Sequence, residues 1–544
     1  MLTFRVHHPF DAVASDVEIS SLELSGTAGE TLSSSLSIGS DRDIEVQLSS
    51  SDFAGVEGSV PANCLETFIV KVWQQSGIGV HQSQPYTGGE LLLKDDDVDL
   101  NDGYRKNYTD WRHLVSPQYV YSPPVVRLSG AARTRICAHQ SKQVWLSLSI
   151  PTGCRPGSYE GQICITESNG LQHILPVFLQ VYPFVLDEPC QDLMLWYRGT
   201  LGQRDLQHYV SLKTFREELQ DIYNHGFRSF TLSEEDHQLA QLALDTAQQV
   251  GFSRNVLFVA PYPERFADLR LGKLTPLFYL SDELDAQTDK ADIAECRHVR
   301  QHVINYRQAV AAGVKSMSSL IDYRFIRRLE NDSDIGHQPD VNSFHLPTSK
   351  EHVALNREFS VRKNASTYYY WMAHMEKPNL HRVLAGYYLY KSKADGISPY
   401  CYQHRPRFPF SPFDDFEQWE PELKLGAAGV FRHHMATYPC RGGTISTIQW
   451  EGMRQGINDL RYLTTLDNLL RKARMIPTMR LEAAVAEAEN DVRQFLKKID
   501  LLAIHINHES EREPYPEIAA RDYDGFRGQV AEHIINVQLA LGDA

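Results

Sequence analysis

The feature that most constrains the fold is a repeated alternation between Leu193 and about Arg471. Short apolar runs such as NVLFVAP and TPLFYLSDE alternate there with longer helical patterns such as EDHQLAQLALDTAQQVG. Eight strand-helix units fit within about 280 residues, which is the size and period of a (β/α)8 barrel. An open doubly wound sheet would carry a Gly-rich phosphate turn after its first strand, and this segment has none. We therefore predict a TIM barrel over residues 188–476.

The chain before the barrel has a different periodicity. Up to about Asp187, runs such as VWLSLSIP and HILPVFLQVYPF alternate polar and apolar residues and are broken by Gly, Pro, Ser and Asp. This pattern is typical of antiparallel strands, so residues 1–187 are predicted to form a β-sandwich. The last segment, residues 477–544, is predicted to be a helical appendage. A multidomain protein agrees with the 544-residue length, which exceeds what one hydrophobic core usually supports.

The charge and the terminal patterns exclude several kinds of partner. The formal charge of −15 leaves no basic surface for a phosphate backbone, so nucleic acid is not expected as a partner. Neither a secretory signal nor an apolar run of about 20 residues is present, which predicts no membrane contact and a cytoplasmic location unless a leader was removed. Eight cysteines without CxxC spacing are predicted to be free thiols. No cofactor or metal is expected, and an oligomer is possible but not predicted.

Two neighbouring acids, Asp282 and Glu283, lie at the end of the fourth predicted strand. They come directly after the run Tyr279-Leu280-Ser281. Active sites of such barrels lie at the carboxyl ends of the strands. Adjacent carboxylates raise one pKa and so favour a protonated acid near neutral pH, which is what a general acid requires. Acids are also common at helix N-termini, where the helix dipole favours them. The residues alone leave both interpretations open.

Several segments resemble glycoside hydrolase family 123 and its relatives of unknown function. LFYLSDEL is similar to the strand-four signature of that family, in which an Asp-Glu pair follows a hydrophobic strand. VWLSLSIPTGCRPGSYEGQICI resembles the strand pair before its barrel, ADGISPYCYQ its eighth strand, and TISTIQWEGMRQGINDLRYLTTL its closing helix. Together, the matching segments are distributed over most of residues 140–470. The chain departs from the family after the pair, where Leu284 and Asp285 stand in place of a frequent Pro; Asp285 is either a third acid or, as we favour, a helix cap.

This resemblance implies a retaining, substrate-assisted β-N-acetylhexosaminidase of the N-acetylgalactosamine type, acting on an oligosaccharide or glycoconjugate. In that reaction Glu283 would be the general acid/base, and Asp282 would orient the acetamido group that acts as nucleophile. One alternative is a glycosidase with a separate carboxylate nucleophile, for which Asp322 and Asp340 are candidates. Another is a barrel that binds glycans without hydrolysing them, because fold does not fix function.

Other residues at strand ends are candidates for binding the sugar. Alternation along strand seven sends two of its four terminal aromatic residues inward. We select Trp371 as the stacking platform and Tyr369 as its neighbour on the same face, with a core role as the alternative. The remaining candidates follow strands one and eight: Arg198, for which a surface salt bridge is the alternative, and Tyr402, Gln403 and His404. Trp450, Glu451 and Arg454 are assigned to packing outside the barrel.

Overall fold

The computed structural model describes residues 2–542 apart from several internal segments. The segments outside the description are residues 76–85, 99–123, 204–207, 260–265, 267, 285–296, 321–338, 347–349, 374–377, 405–434, 477 and 500–519.

The N-terminal region consists of short strands that form two sheets. In chain order they are β1 (Leu2–Val6), β2 (Leu22–Gly26), β3 (Thr31–Ser40), β4 (Ile44–Ser50), β5 (Phe53–Gly55), β6 (Gly58–Val60), β7 (Leu65–Gln75), β8 (Tyr86–Leu93), β9 (Arg133–Ile136), β10 (Gln140–Ser149), β11 (Gly157–Glu167) and β12 (Gln172–Val181). The second sheet has the order β2-β12-β11-β4-β9, with β5 beside β11 and β6 beside β5. Its pairs are antiparallel except for β2 with β12.

The alternation in the sequence decides which side of each strand is buried. In β4, Ile44, Val46 and Leu48 are buried while the residues between them are exposed, as expected for a strand with one face on a core. These side chains share one cluster with Val144 of β10 and Ile163 of β11, which belong to different sheets. The two sheets therefore bury a common core.

A closed barrel of eight parallel strands follows. Its strands are β13 (Asp192–Leu195), β14 (Ser229–Leu232), β15 (Asn255–Phe258), β16 (Thr275–Ser281), β17 (Lys315–Leu320), β18 (Val341–His345), β19 (Ser366–Tyr370) and β20 (Gly396–Ile397). The interior is filled by side chains such as Met194, Leu257, Met317 and Tyr368, so the barrel is a packed core and not a channel. The prediction of a multidomain chain with antiparallel sheets, a closed parallel barrel and helices is confirmed.

Helices cover the barrel and extend beyond it. They are α1 (Leu212–Asn224), α2 (His237–Val250), α3 (Arg297–Ala311), α4 (Lys350–Lys363), α5 (Pro378–Val383), a π-helical turn (Leu384–Tyr388), α6 (Leu389–Ser392), α7 (Ile448–Ala473), α8 (Met479–Lys497) and α9 (Ala520–Gly542). Among the described residues, no helix follows β15 or β17, so the complete eightfold repeat stays a prediction. Within the same residues, no helix has the length and hydropathy of a membrane span.

Local signals in the sequence explain where several helices begin. Side-chain oxygens of Ser211, Asp236 and Thr447 accept hydrogen bonds from the first turns of α1, α2 and α7. Such caps satisfy backbone N–H groups that have no partner within the helix. Gly251, at φ +124°, ends α2 in a conformation that favours glycine.

A hairpin that was not predicted joins the barrel to the first N-terminal sheet. Strands β21 (Tyr438–Cys440) and β22 (Gly443–Thr447) follow the last barrel strand, and β22 pairs with β8 through Ser446 opposite Leu92. The first sheet therefore has the order β1-β3-β10-β7-β8-β22-β21. The predicted boundary between residues 187 and 188 does not account for these two strands, which follow the barrel in sequence but belong to the N-terminal sheet.

Candidate active site

The site begins with an irregularity at the end of β16. This strand pairs with β17 so that Tyr279 lies opposite Met317, but Ser281 lies opposite the very next residue, Ser318. Leu280 is therefore an extra residue, and a bulge of this kind shifts the alternation of side chains by one position. The acids that follow the bulge consequently change faces.

The change of face brings Asp282 into the barrel mouth. Without the bulge, Asp282 would share the outward face of Phe278, which packs in the layer under the helices. Instead, Ser281 turns outward, where its Oγ lies 2.9 Å from His302 Nδ1 of α3. Asp282 turns inward, to the side on which Tyr279 fills the barrel.

Two hydroxyl groups hold the Asp282 carboxylate. Its Oδ1 lies 2.9 Å from the Tyr279 hydroxyl and 3.0 Å from Ser319 Oγ, and these two hydroxyls are 2.5 Å apart. Burial and the neighbouring Asp282 raise the pKa of Tyr279 well above its ordinary value. The phenol therefore stays protonated at neutral pH and remains a hydrogen-bond donor to the site.

Glu283 adopts a backbone conformation that is uncommon for a residue with a side chain. Its φ is +39°, in the left-handed region, and such strain of about 1–3 kcal/mol concentrates at functional sites. The backbone N–H donates to Ser319 Oγ at 2.9 Å, and Oε1 accepts from the Tyr370 hydroxyl at 2.8 Å. Burial and Glu283 raise the pKa of Tyr370, so this phenol is also a stable donor. Both acids therefore have a tyrosine donor at the mouth of the barrel.

Aromatic rings border the two acids. The ring of Trp196, which follows β13 and is partly buried, lies edge-on at 5.0 Å from Tyr279 and at 5.8 Å from Tyr400. Burial raises the pKa of Tyr400 and Asp282 adds to the rise, which indicates that the carboxylate is within electrostatic reach of this phenol. Aromatic faces of this kind suit the apolar faces of sugar rings.

Two of the predicted binding residues join the site through Tyr400. Arg198 Nη1 donates to the Tyr400 hydroxyl at 2.5 Å, and His404 Nδ1 lies 2.9 Å from the same oxygen. This bond to a phenol of the site favours a role for Arg198 in binding over a surface salt bridge. The structure brings Arg198, His404, Asp282 and Glu283 to the same end of the barrel.

The prediction for Tyr369 and Trp371 is wrong about the face. Both are buried in the layer between the barrel and its helices, where Trp371 Nε1 donates to His381 Nδ1 at 3.1 Å and Tyr369 packs edge-on against Tyr388. Burial raises the pKa of Tyr369 to about 12. The inward aromatic residues are the alternate pair, of which Tyr370 contacts Glu283.

Tyr402 and Gln403 also lie away from the acids, which corrects their prediction as binding residues. Tyr402 is fully buried and donates to Asp221 Oδ2 at 2.9 Å. Gln403 Nε2 donates to Thr437 Oγ1 at 3.1 Å, near the hairpin. Strand β20 spans only two residues, so alternation does not extend to these positions and cannot assign their faces.

The remaining residues singled out in the sequence have the following locations. Asp340 precedes β18 and accepts from the Ser316 N–H at 2.8 Å, at the amino ends of the strands and therefore far from the mouth. Leu284 is buried in the layer outside the barrel, whereas Asp285 and Asp322 lie outside the described residues. The packing role predicted for Trp450, Glu451 and Arg454 is confirmed, because they contact His225 of the α1–β14 connection.

Five residues of the site were not selected from the sequence: Trp196, Ser319, Tyr370 and Tyr400, and Tyr279 in its role as donor. Trp196 and Arg198 lie two and four residues after Met194, whose side chain fills the barrel interior. Alternation along β13 therefore predicts that Trp196 also faces inward. Nothing in the sequence marks Ser319, because one serine in the run KSMSSL resembles the others.

Comparisons with known proteins show which solved structures have a similar fold. No family model and no curated protein matches the sequence. A family 123 glycoside hydrolase from Clostridium perfringens, studied for glycolipid glycan hydrolysis, aligns over 99% of this chain and 100% of its own, with a TM-score of 0.62 and 12% identity. A family 39 glycoside hydrolase from Bacteroides cellulosilyticus aligns over 53% of this chain and 70% of its own, with a TM-score of 0.29 and 10% identity. The resemblance seen in the sequence is thus confirmed for the fold: from its N-terminal sheets to its C-terminal helices, the chain has the fold of a family 123 glycoside hydrolase.

Proposed function

We propose that this protein is a glycoside hydrolase that removes an N-acetylated amino sugar with retention, using the sugar's own acetamido group as nucleophile. The observation that carries the proposal is the convergence of Asp282 and Glu283 at the barrel mouth, each beside a tyrosine that stays protonated. The family resemblance adds N-acetylgalactosamine as the sugar and a glycan or glycoconjugate as the substrate. The fold shared with the Clostridium perfringens enzyme supports the same class of reaction.

The two acids have different tasks in this reaction. The acetamido oxygen attacks the anomeric carbon while the glycosidic bond breaks, and Glu283 gives its proton to the departing oxygen. Asp282 accepts a hydrogen bond from the acetamido N–H and stabilises the positive charge that develops as the oxazoline ring forms. Water then adds to the anomeric carbon and returns a proton to Glu283. Ser319 contacts both residues, so it fixes the spacing on which this division depends.

The first experiment tests Glu283 as the acid. With an aryl N-acetyl-β-galactosaminide whose leaving group is poor, such as phenol, Glu283→Gln should lower kcat by about a hundredfold or more. With dinitrophenol, which leaves without a proton, the loss should be much smaller. Glu217→Gln, at an exposed ion-paired position of α1, is the control and should match the wild type. Equal activity of Glu283→Gln and the wild type on both substrates would contradict the proposed role of Glu283.

The second experiment tests the acetamido group as nucleophile. An aryl galactoside without the acetamido group should not be hydrolysed, and a thiazoline that mimics the oxazoline should inhibit competitively. Asp282→Asn should weaken thiazoline binding, because the neutral amide no longer stabilises the positive charge. Covalent trapping by a 2-fluorosugar would instead indicate a separate carboxylate nucleophile.

A further inference from the structure

A concave surface on the outside of the molecule concentrates positive charge. This basic groove has a volume of about 720 Å³ and lies between α6, the end of α7 and α8. Six cationic side chains line it: Lys391, Lys393, Arg471, Arg474, Arg493 and Lys497. Only two carboxylates, Asp467 and Glu489, line it as well. Six cations against two acids leave a surplus of four positive charges in a chain whose formal charge is −15.

The two acids are already engaged within the groove. Both oxygens of Asp467 accept from the Tyr390 hydroxyl at 3.0 Å, and Glu489 pairs with Arg474. Burial raises the pKa of Asp467, although the Tyr390 hydroxyl and the nearby Lys393 oppose the rise. These two acids can balance at most two of the six cations.

Four of the cations form no direct salt bridge with a described carboxylate: Lys393, Arg471, Arg493 and Lys497. Lys393 and Arg471 lie within electrostatic reach of Asp467, which they share with Arg474. Two of the four cations have direct contacts with neutral groups: Lys393 lies over the Tyr390 ring at 4.0 Å, and Lys497 Nζ donates to Gln494 Oε1 at 3.2 Å. Because the cations outnumber the acids and repel each other, a bound anion would stabilise this arrangement.

From this we infer that the basic groove binds a small ligand that carries two or more phosphate or sulfate groups. Guanidinium and ammonium groups are the usual donors to such oxyanions, with arginine forming paired hydrogen bonds. The concave shape suits a small molecule better than a flat membrane surface. Lys393 precedes β20, at the amino ends of the barrel strands, so the groove is separate from Asp282 and Glu283 and the inference does not depend on the proposed function.

Calorimetry on the full chain tests the inference with two probes, inorganic triphosphate and a disulfated disaccharide. We expect at least one to bind the wild type, and the one that binds identifies the source of the oxyanions. The double variant Arg471→Gln/Arg493→Gln should bind about tenfold more weakly or worse, since it loses two charged donors. Raising the NaCl concentration from about 0.05 to about 0.5 M should also weaken binding, because salt screens exposed charges.

A matched control separates the groove from general charge effects. Lys472→Gln/Lys498→Gln removes the same charge from adjacent exposed positions that do not line the groove, and it should bind within about twofold of the wild type. Both double variants should unfold at the temperature of the wild type, because all four side chains are exposed. Failure of both probes to bind, or an equal loss in the two double variants, would overturn the inference.

Discussion

A single hydroxyl group, that of Ser319, contacts both acids of the site. It lies 3.0 Å from Asp282 Oδ1 and accepts the Glu283 N–H at 2.9 Å. Ser319→Ala should lower kcat by about tenfold to a hundredfold with little change in KM, because small displacements of catalytic groups are costly. Ser318→Ala removes the neighbouring hydroxyl on the opposite face and should leave kcat close to that of the wild type. Equal losses in kcat for the two variants would show that Ser319 has no special role.

The adjacent tyrosines of β19 offer a second test at the level of residues. Tyr370 donates to Glu283, whereas Tyr369 faces the helices. Tyr370→Phe should reduce kcat by about tenfold, since a hydrogen bond to a charged group contributes about 1.5–3 kcal/mol. Tyr369→Phe removes the same atom from the other face and should reduce stability without a comparable loss of kcat. A larger loss of kcat in Tyr369→Phe would contradict the assignment of faces.

At the level of secondary-structure elements, the sequence predicts that side chains alternate between the two faces of a strand. It predicts less reliably which residues face inward. Alternation correctly sends two of the four aromatic residues at the end of β19 inward, but it does not say which two. That choice depends on which face the helices cover, and this is a tertiary property. The bulge at Leu280 is a similar case: it moves Asp282 to the inward face, yet no residue type in the segment signals it. The acids were found because they lie at a strand end, which the repeat itself predicts.

The close packing of α7 on α5 and the π-helical turn depends on glycine. A Cβ atom on Gly456 would lie 2.3 Å from the backbone oxygen of Arg382. Gly456→Ala should therefore lower the free energy of unfolding by about 1–3 kcal/mol, the usual cost of overpacking. On α9, a Cβ on Gly528 would meet nothing within 4 Å, so Gly528→Ala should raise stability by up to about 1 kcal/mol. Thermal unfolding of the two variants checks both signs.

At the level of the whole molecule, a buried charged cluster connects three parts of the chain. His225, after α1, lies 3.1 Å from Asp221 and 3.3 Å from Glu451 of α7. Glu451 in turn accepts from Ser33 of β3 at 3.1 Å. Burial and Arg454 favour the neutral ring, but the two carboxylates outweigh them and raise the pKa of His225 above its ordinary value of 6.5. The two carboxylates therefore favour the protonated form of the ring in the folded chain.

This raised pKa predicts a pH-dependent contribution to stability. Since the pKa of His225 is higher in the folded than in the unfolded chain, its contribution is complete below about pH 6.5 and is lost as the pH rises through the folded value. His225→Gln should therefore lower the free energy of unfolding by more at pH 6 than at pH 9. Urea titrations of both proteins at the two pH values measure the difference. A penalty that is the same at pH 6 and pH 9 would contradict the raised pKa of His225.

The hairpin that completes the first sheet has a consequence for synthesis of the protein. The Tyr438 hydroxyl bonds to Glu90 of β8, 348 residues earlier in the chain. During translation, β8 must therefore wait with an unpaired edge while the ribosome makes the whole barrel. Such distant contacts slow folding and leave edges available for wrong partners. The N-terminal sheet is thus completed only after the barrel, and a nascent chain stalled before Gly443 would be prone to aggregation.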